Sequence, residues 1–220
     1  MSYLHIDSVV KYYKSRKILR NIYLSCSTGD IIGLLGSNGS GKSTLLKIVF
    51  GVLNSESKFV KIDDKILKDV YGRRNLINYL PQDSFLPKNI KVARLIGLFC
   101  DKEGRNQLLK NDIIKPFLPK KSNSLSGGEK RLVEVFMLLH TKAKFILLDE
   151  PFNGISPIYR NHIKMMIQEK SKTKGFIITD HDYRNILDVS NRIEFLHEGR
   201  LQEIEQLQDL VKLGYLNKVH

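Results

Sequence analysis

Apolar residues recur along this chain with two spacings, and the change from one to the other sets out an order of elements. Leu4 and Ile6, then Ile18 to Leu24, alternate with polar residues, which predicts antiparallel strands joined by a turn near Lys14-Ser15-Arg16. Ile31-Ile32-Gly33-Leu34-Leu35 is apolar throughout and ends at Gly36, the pattern of a parallel strand buried on both faces. From Lys42 to Phe50 the spacing is helical, with Gly51 as the stop. Phe59 to Ile66 reads as a short strand pair, and Leu76 to Leu80 as a strand ending before Pro81.

Between Pro87 and Lys120 the character changes. Ile90, Ala93, Leu95, Ile96, Leu98 and Phe99 have helical spacing, as do Leu108, Leu109, Ile113 and Ile114, with Pro116 and Pro119 interrupting. A helix from about Gly128 to His140 follows, with Leu132, Val135, Phe136 and Leu139 on one face. Then come a strand at Phe145–Leu148, a helix at Ile158–Glu169, a strand at Phe176–Thr179, a helix at Tyr183–Asp188 and a strand at Ile193–Leu196. Strands alternating with helices predict an α/β fold with a parallel, doubly wound sheet. The expected organisation is one domain over residues 1–220, with an antiparallel β subdomain at its N-terminus and a helical subdomain set into it over about 83–143.

Composition adds limits. With 220 residues and 42% hydrophobic content the chain can bury a sizeable core. No apolar run approaches the roughly 18–20 residues that span a bilayer, so a membrane role needs a separate partner. The start, MSYLHIDSVV, lacks the basic and apolar segments of an export signal, so a cytoplasmic location is expected. Cys26 and Cys100 are far apart and read as reduced packing thiols. The net charge of +13 suits anionic lipid headgroups, bound phosphate, nucleic acid or a merely solvated surface. Its cations are spread out (Lys11, Lys14, Arg16, Lys17; Arg73, Arg74; Lys120, Lys121; Lys170, Lys172, Lys174) and not gathered in a tail, so no specific nucleic-acid partner is expected.

Gly36-Ser37-Asn38-Gly39-Ser40-Gly41-Lys42-Ser43-Thr44 fits G-x-x-x-x-G-K-S/T after a strand and at the head of a helix. Glycines there let successive N–H groups turn onto phosphate oxygens, and the helix N-terminus adds partial positive charge. Lys42 would reach the β- and γ-phosphates, and the Ser43 hydroxyl would ligate Mg²⁺. A second apolar strand, Phe145-Ile146-Leu147-Leu148, delivers Asp149 and Glu150 to its C-terminal end, where open α/β sheets bind ligands. Asp149 would hold Mg²⁺ through water, and Glu150 would polarise the water attacking the γ-phosphate. Leu125-Ser126-Gly127-Gly128-Glu129 supplies a hydroxyl and free N–H groups at another helix start, a second anion site on the same chain. One triphosphate seldom needs both sites; two chains sharing two ATP molecules do.

With those residues in place, the chain resembles the ATP-binding subunits of ABC transporters over essentially its whole length. The resemblance makes Ser126-Gly127-Gly128-Glu129 the family's signature motif. It gives Gln82, in Tyr79-Leu80-Pro81-Gln82, the place of the glutamine that meets Mg²⁺ and attacking water. It likewise gives His181, in Thr179-Asp180-His181-Asp182, that of the histidine facing the γ-phosphate. Tyr13 corresponds to the aromatic residue that stacks on adenine, with Tyr12 as the alternative. Locally, Tyr79–Gln82, Phe145–Phe152 and Ile177–His181 are most similar to the ATPases of lipopolysaccharide export and branched-chain amino-acid import. The resemblance implies a Mg²⁺-dependent ATPase that pairs head to tail, as a homodimer or with another cassette, and drives a transmembrane permease from the inner face of the membrane. The alternative is a soluble cassette that acts as an assembly scaffold.

Two departures from the family pattern carry expectations. Ser156 stands where an Asp that couples the two ATP sites is usual, which implies weaker cooperativity but not an inactive enzyme. The stretch between Gln82 and Leu125 is short for the family, which implies a reduced surface for the membrane partner.

Overall fold

A computed structural model describes residues 1–68 and 75–216; Arg73 and Arg74 lie outside the described residues. Two sheets and a set of helices enclose two hydrophobic cores. The first sheet, in the order β2-β1-β4-β5, comes from β1 (Tyr3–Tyr13), β2 (Arg16–Ser27), β4 (Ser57–Ile62) and β5 (Lys65–Ile66). All its pairings are antiparallel. A register shift between Ile6 and Val9, with Ser8 at φ 55, lets Leu4, Ile6 and Val9 all face the core.

The second sheet has the order β10-β9-β3-β8-β7-β6. It is built from β3 (Ile31–Leu35), β6 (Ile77–Leu80), β7 (Phe145–Asp149), β8 (Gly175–Thr179), β9 (Arg192–His197) and β10 (Arg200–Ile204). Five of these strands run parallel, and β10 closes one edge antiparallel to β9. Every residue of β3, β7 and β8 is buried, as continuous apolar strands covered on both faces require. One core lies between the two sheets and takes in helix α1 (Lys42–Phe50). The other lies beneath α2 (Val92–Phe99), α4 (Gly127–Leu139), α5 (Pro157–Ser171) and α6 (Tyr183–Val189). Helix α3 (Lys102–Lys110) and two single-turn 3₁₀ helices connect α2 to α4.

The elements read from the sequence are present, most with ends moved by one to three residues, but Ile90, Ile113 and Ile114, whose spacing read as helical, lie outside α2 and α3. Strand β10 and helix α7 (Leu207–Lys212) are additions that periodicity did not announce. Cys26 and Cys100 are free and buried; burial pushes the Cys100 thiol up to about 12 and the Cys26 thiol further. Among the described residues no helix is long and apolar enough to cross a membrane.

Candidate ATP site

The parallel strands bring four separated segments to one rim. The phosphate loop follows β3, Gln82 follows β6, Glu150 follows β7 and His181 follows β8. Register holds them level: Leu80 pairs with Leu148 and Asp149 with Thr179. This rim at the strand C-termini is where an open α/β sheet forms its crevice. A cavity of about 360 Å³ opens there, lined by Tyr13, Ile18, Asn38, Gly39, Gly41, Lys42, Ser43, Thr44, Gln82, Glu150 and His181.

The phosphate loop is shaped by its backbone. Gly41 caps α1 at φ 111, a conformation a side chain would oppose, and a Cβ there would also press on Ile18. Gly36 starts the loop, Ser40 N–H donates to the Ser37 carbonyl, and Lys42 Nζ donates to the carbonyls of Gly36 (2.6 Å) and Ser37 (3.1 Å). Burial pulls the Lys42 ammonium below its ordinary range, while Asp149 and Glu150 pull it back up. Lys42 thus lines the cavity with its ammonium held against the loop carbonyls.

Asp149 is fully buried and surrounded by hydroxyls. Ser43 Oγ donates to its Oδ1 (2.9 Å), as does Thr179 Oγ1 (2.8 Å), and Tyr79 OH donates to its Oδ2 (3.0 Å). Gln82 reaches Ser43 Oγ at 3.3 Å. The Asp149 carboxylate and the Ser43 hydroxyl supply hard oxygen donors of the kind Mg²⁺ prefers, and Gln82 faces them through Nε2. Those residues therefore fit the metal.

Glu150 occupies a backbone region that favours glycine, with φ 56. Strain of this kind costs about 1–3 kcal/mol and is found at functional sites. It turns the side chain away from Asp149 and into the cavity. There Oε1 accepts from Gln82 Nε2 (2.6 Å), and Oε2 lies 2.7 Å from His181 Nε2. The backbone N–H of Glu150 donates to the Thr179 carbonyl at 3.0 Å, which ties the turn to β8. Gln82, Glu150 and His181 thus form one contact chain.

Tyr13 lines this cavity and Tyr12 does not. The ring of Tyr13 carries Lys11 Nζ at 5.5 Å, and that of Tyr12 carries Lys17 Nζ at 5.4 Å. Ser37 lines a neighbouring cavity of about 620 Å³ together with Asn38, Gly39 and Ser40.

Ser126, Gly127 and Gly128 line neither of these cavities. Ser126 caps α4 in a reciprocal box: its Oγ accepts from Glu129 N–H (3.2 Å), and Glu129 Oε2 accepts from Ser126 N–H (2.7 Å). The Ser126 amide and Lys120 hold the Glu129 carboxyl below the usual range. Ser126 and Gly127 are exposed, and a Cβ on Gly127 would meet nothing. A Cβ on Gly128 would collide with the carbonyl oxygen of Gly154, in the loop that leads to Ser156. Ser156 caps α5 by position, but its hydroxyl makes no capping hydrogen bond.

Sequence reading did not single out Tyr79, Thr179, Arg131 or Glu134. Tyr79 and Thr179 meet Asp149 only through the pairing of β6 and β8 with β7, and the sequence signal for either is just its place at a strand end. Arg131 and Glu134 are two charges on a helix that is otherwise apolar and buried from Leu132 onward, which is a legible anomaly.

A P-loop between β3 and α1, buried carboxylates at the end of β7 and a Ser-Gly-Gly helix start with Ser126 and Gly127 exposed define an ATP-binding cassette. Comparison with known proteins gives the family: residues 19–153 match the family model described as ABC transporter, and the chain belongs to that family. It is an ATP-binding, ATP-hydrolysing subunit of the kind that works with separate membrane partners. The lipopolysaccharide export system ATP-binding protein LptB of Escherichia coli K12 is 35% identical, covering 99% of this chain and 98% of its own length. LptB of Haemophilus influenzae is 33% identical over 91% of this chain and 89% of its own. A solved ATP-binding subunit of an ABC transporter superposes with TM-score 0.84 at 21% identity, covering 96% of this chain and 93% of that one. A nucleotide-free cassette from an ABC transporter gives 0.82 at 24% identity, covering 96% of each chain.

Proposed function

We propose that this chain hydrolyses ATP as one half of a head-to-tail homodimer and transmits closure of that dimer to a transmembrane permease. One observation carries the reading. Tyr13, Lys42, Ser43, Gln82, Glu150 and His181 meet at one cavity, while the turn Ser126–Gly128 lies elsewhere on the same chain with Ser126 and Gly127 exposed. Each ATP would lie between the phosphate loop of one copy and the Ser126 turn of the other. Tyr13 would stack on adenine, a contact worth about 1–3 kcal/mol by analogy with base stacking.

Ser43, Asp149 and Gln82 would hold Mg²⁺, which neutralises phosphate charge when bound. Lys42 and the loop amides would stabilise charge on the transferring phosphoryl group. Glu150 would take up the proton of the attacking water, with Gln82 and His181 fixing its two oxygens in place. Glu150→Gln is expected to lower turnover by about 10²–10⁴-fold while ATP still binds. Full turnover in that variant would remove Glu150 from the chemistry, whereas a wild-type chain with no ATPase activity to lose would support the assembly-scaffold alternative.

The membrane partner would dock beside Gln82, on the helices inserted over about 83–143. Leu98 and Phe99 of α2 are exposed there, and the Phe85 and Phe99 rings lie 5.4 Å apart. Such a partner would hold the chain at the inner face of the membrane. Pull-down from detergent-solubilised membranes should recover a protein with several spans, and recovery of none would count against the permease.

A further inference from the structure

Helix α4 carries two buried charges that the ATP site as described does not use. Arg131 and Glu134 lie one turn apart, with side chains only 6% and 1% exposed. Desolvation of an ion pair is costly, and such pairs persist where the groups have further hydrogen-bonding work. Here that work is specific.

The guanidinium of Arg131 spans two segments. Its Nη1 donates to the Pro81 carbonyl, the residue before Gln82, at 2.5 Å. Its Nε and Nη2 donate to the Glu150 carbonyl at 3.2 and 3.0 Å, and Nη2 also donates to the Asp149 carbonyl. Glu134 takes the other side of the same loop. Its Oε1 accepts from Phe85 N–H at 2.9 Å and from the Ser84 hydroxyl. Its Oε2 faces Arg131 Nη1 at 3.7 Å. Burial raises the Glu134 carboxyl, and Ser84 and Arg131 counter that rise. Gln82 and Asp83 are therefore pinned on both flanks by one helix, and the same Arg131 grips the strained turn that presents Glu150.

We propose that Arg131 and Glu134 are positioning residues that clamp Gln82 and Glu150 in their reacting geometry and tie that geometry to the seat of α4. The inference rests on Gln82 and Glu150 being the hydrolytic pair. A planar fork reaching three carbonyl oxygens is work that a lysine ammonium cannot repeat. The first turn of α4 is Gly127-Gly128, the surface offered to a second ATP. A shift of α4 on engaging that ATP would be passed by the clamp to the chain's own hydrolytic residues.

The test uses the full chain and separates ATP affinity, read with a fluorescent ATP analogue, from turnover. Arg131→Lys should fold, bind the analogue within about twofold of wild type, and lose about tenfold or more in kcat, the pattern of a misplaced reacting group. Glu134→Gln keeps an acceptor for Ser84 and Phe85 and should stay within about twofold of wild-type kcat, whereas Glu134→Leu should fall with Arg131→Lys. Ser84→Ala, at an exposed loop position, serves if the helix variants do not fold; kcat should drop with analogue affinity unchanged. Wild-type kcat in Arg131→Lys, or in Ser84→Ala where that stands in, overturns the clamp. So does a loss of kcat and affinity in equal proportion. Glu150→Gln run in parallel tells the two failures apart. If it is inactive while the clamp variants are unaffected, only the clamp is wrong; if it turns over normally, the hydrolytic assignment itself is wrong.

Discussion

Asp149 shows how much of this site is set by individual hydroxyls. Three of them, from Ser43, Tyr79 and Thr179, donate to one carboxylate with no exposure to solvent. Burial and the Asp149 charge both raise the Tyr79 phenol, so it stays a donor across the working pH range. Groups that orient a metal-binding carboxylate typically contribute about 10–100-fold in metal affinity, so Tyr79→Phe should raise the Mg²⁺ concentration for half-maximal turnover by about tenfold. An unchanged Mg²⁺ titration would show that Tyr79 only packs. Lys42, Ser43, Asp149, Glu150 and the Ser126 turn were legible because each sits in a local motif whose chemistry depends on near neighbours. Tyr79, Thr179 and Arg131 were not, because their partners lie far away in sequence and meet only through strand register and the packing of α4.

At the scale of elements, the two glycines opening α4 do different work. Gly128 is small because the Gly154 carbonyl leaves no room for a methyl group, whereas Gly127 faces open space. Gly128→Ala should therefore cost about 1–3 kcal/mol and lower the melting temperature. Gly127→Ala should leave melting unchanged or slightly higher and reduce ATPase activity, because under the proposed pairing its methyl group would stand against the second ATP. Normal activity in Gly127→Ala would argue that this turn touches no nucleotide.

Helix α5 gives a second contrast. Its cap position holds Ser156 without a capping bond, so Ser156→Asp should add about 0.5–1 kcal/mol of stability at the helix N-terminus. It should also raise the Hill coefficient for ATP, and a coefficient that does not move would remove Ser156 from the coupling between sites. Most elements followed from apolar spacing, but β10 did not. Arg200-Leu201-Gln202-Glu203-Ile204 is an edge strand with few apolar residues. Its sequence signal is the Glu198-Gly199 turn, both residues at positive φ, as a tight hairpin needs.

On the scale of the molecule, strand topology explains why four motifs spread from residue 36 to residue 181 share one crevice. Parallel strands with buried faces end level, and the loops leaving them are the ones that carry the chemistry. The antiparallel sheet adds Tyr13 from the end of β1, and α4 extends from the same assembly to present Ser126 elsewhere. Under the proposed pairing, a chain built this way would hold two halves of different ATP sites, and a second copy would complete them.

The most direct measurement is the mass of the Glu150→Gln chain in solution, by light scattering after gel filtration, with Mg-ATP and with Mg-ADP. A dimer with ATP that falls back to monomer with ADP is expected, and Gly127→Glu added to that background should abolish the dimer without unfolding the chain. A chain that binds ATP yet stays monomeric at every concentration would contradict the shared-site arrangement.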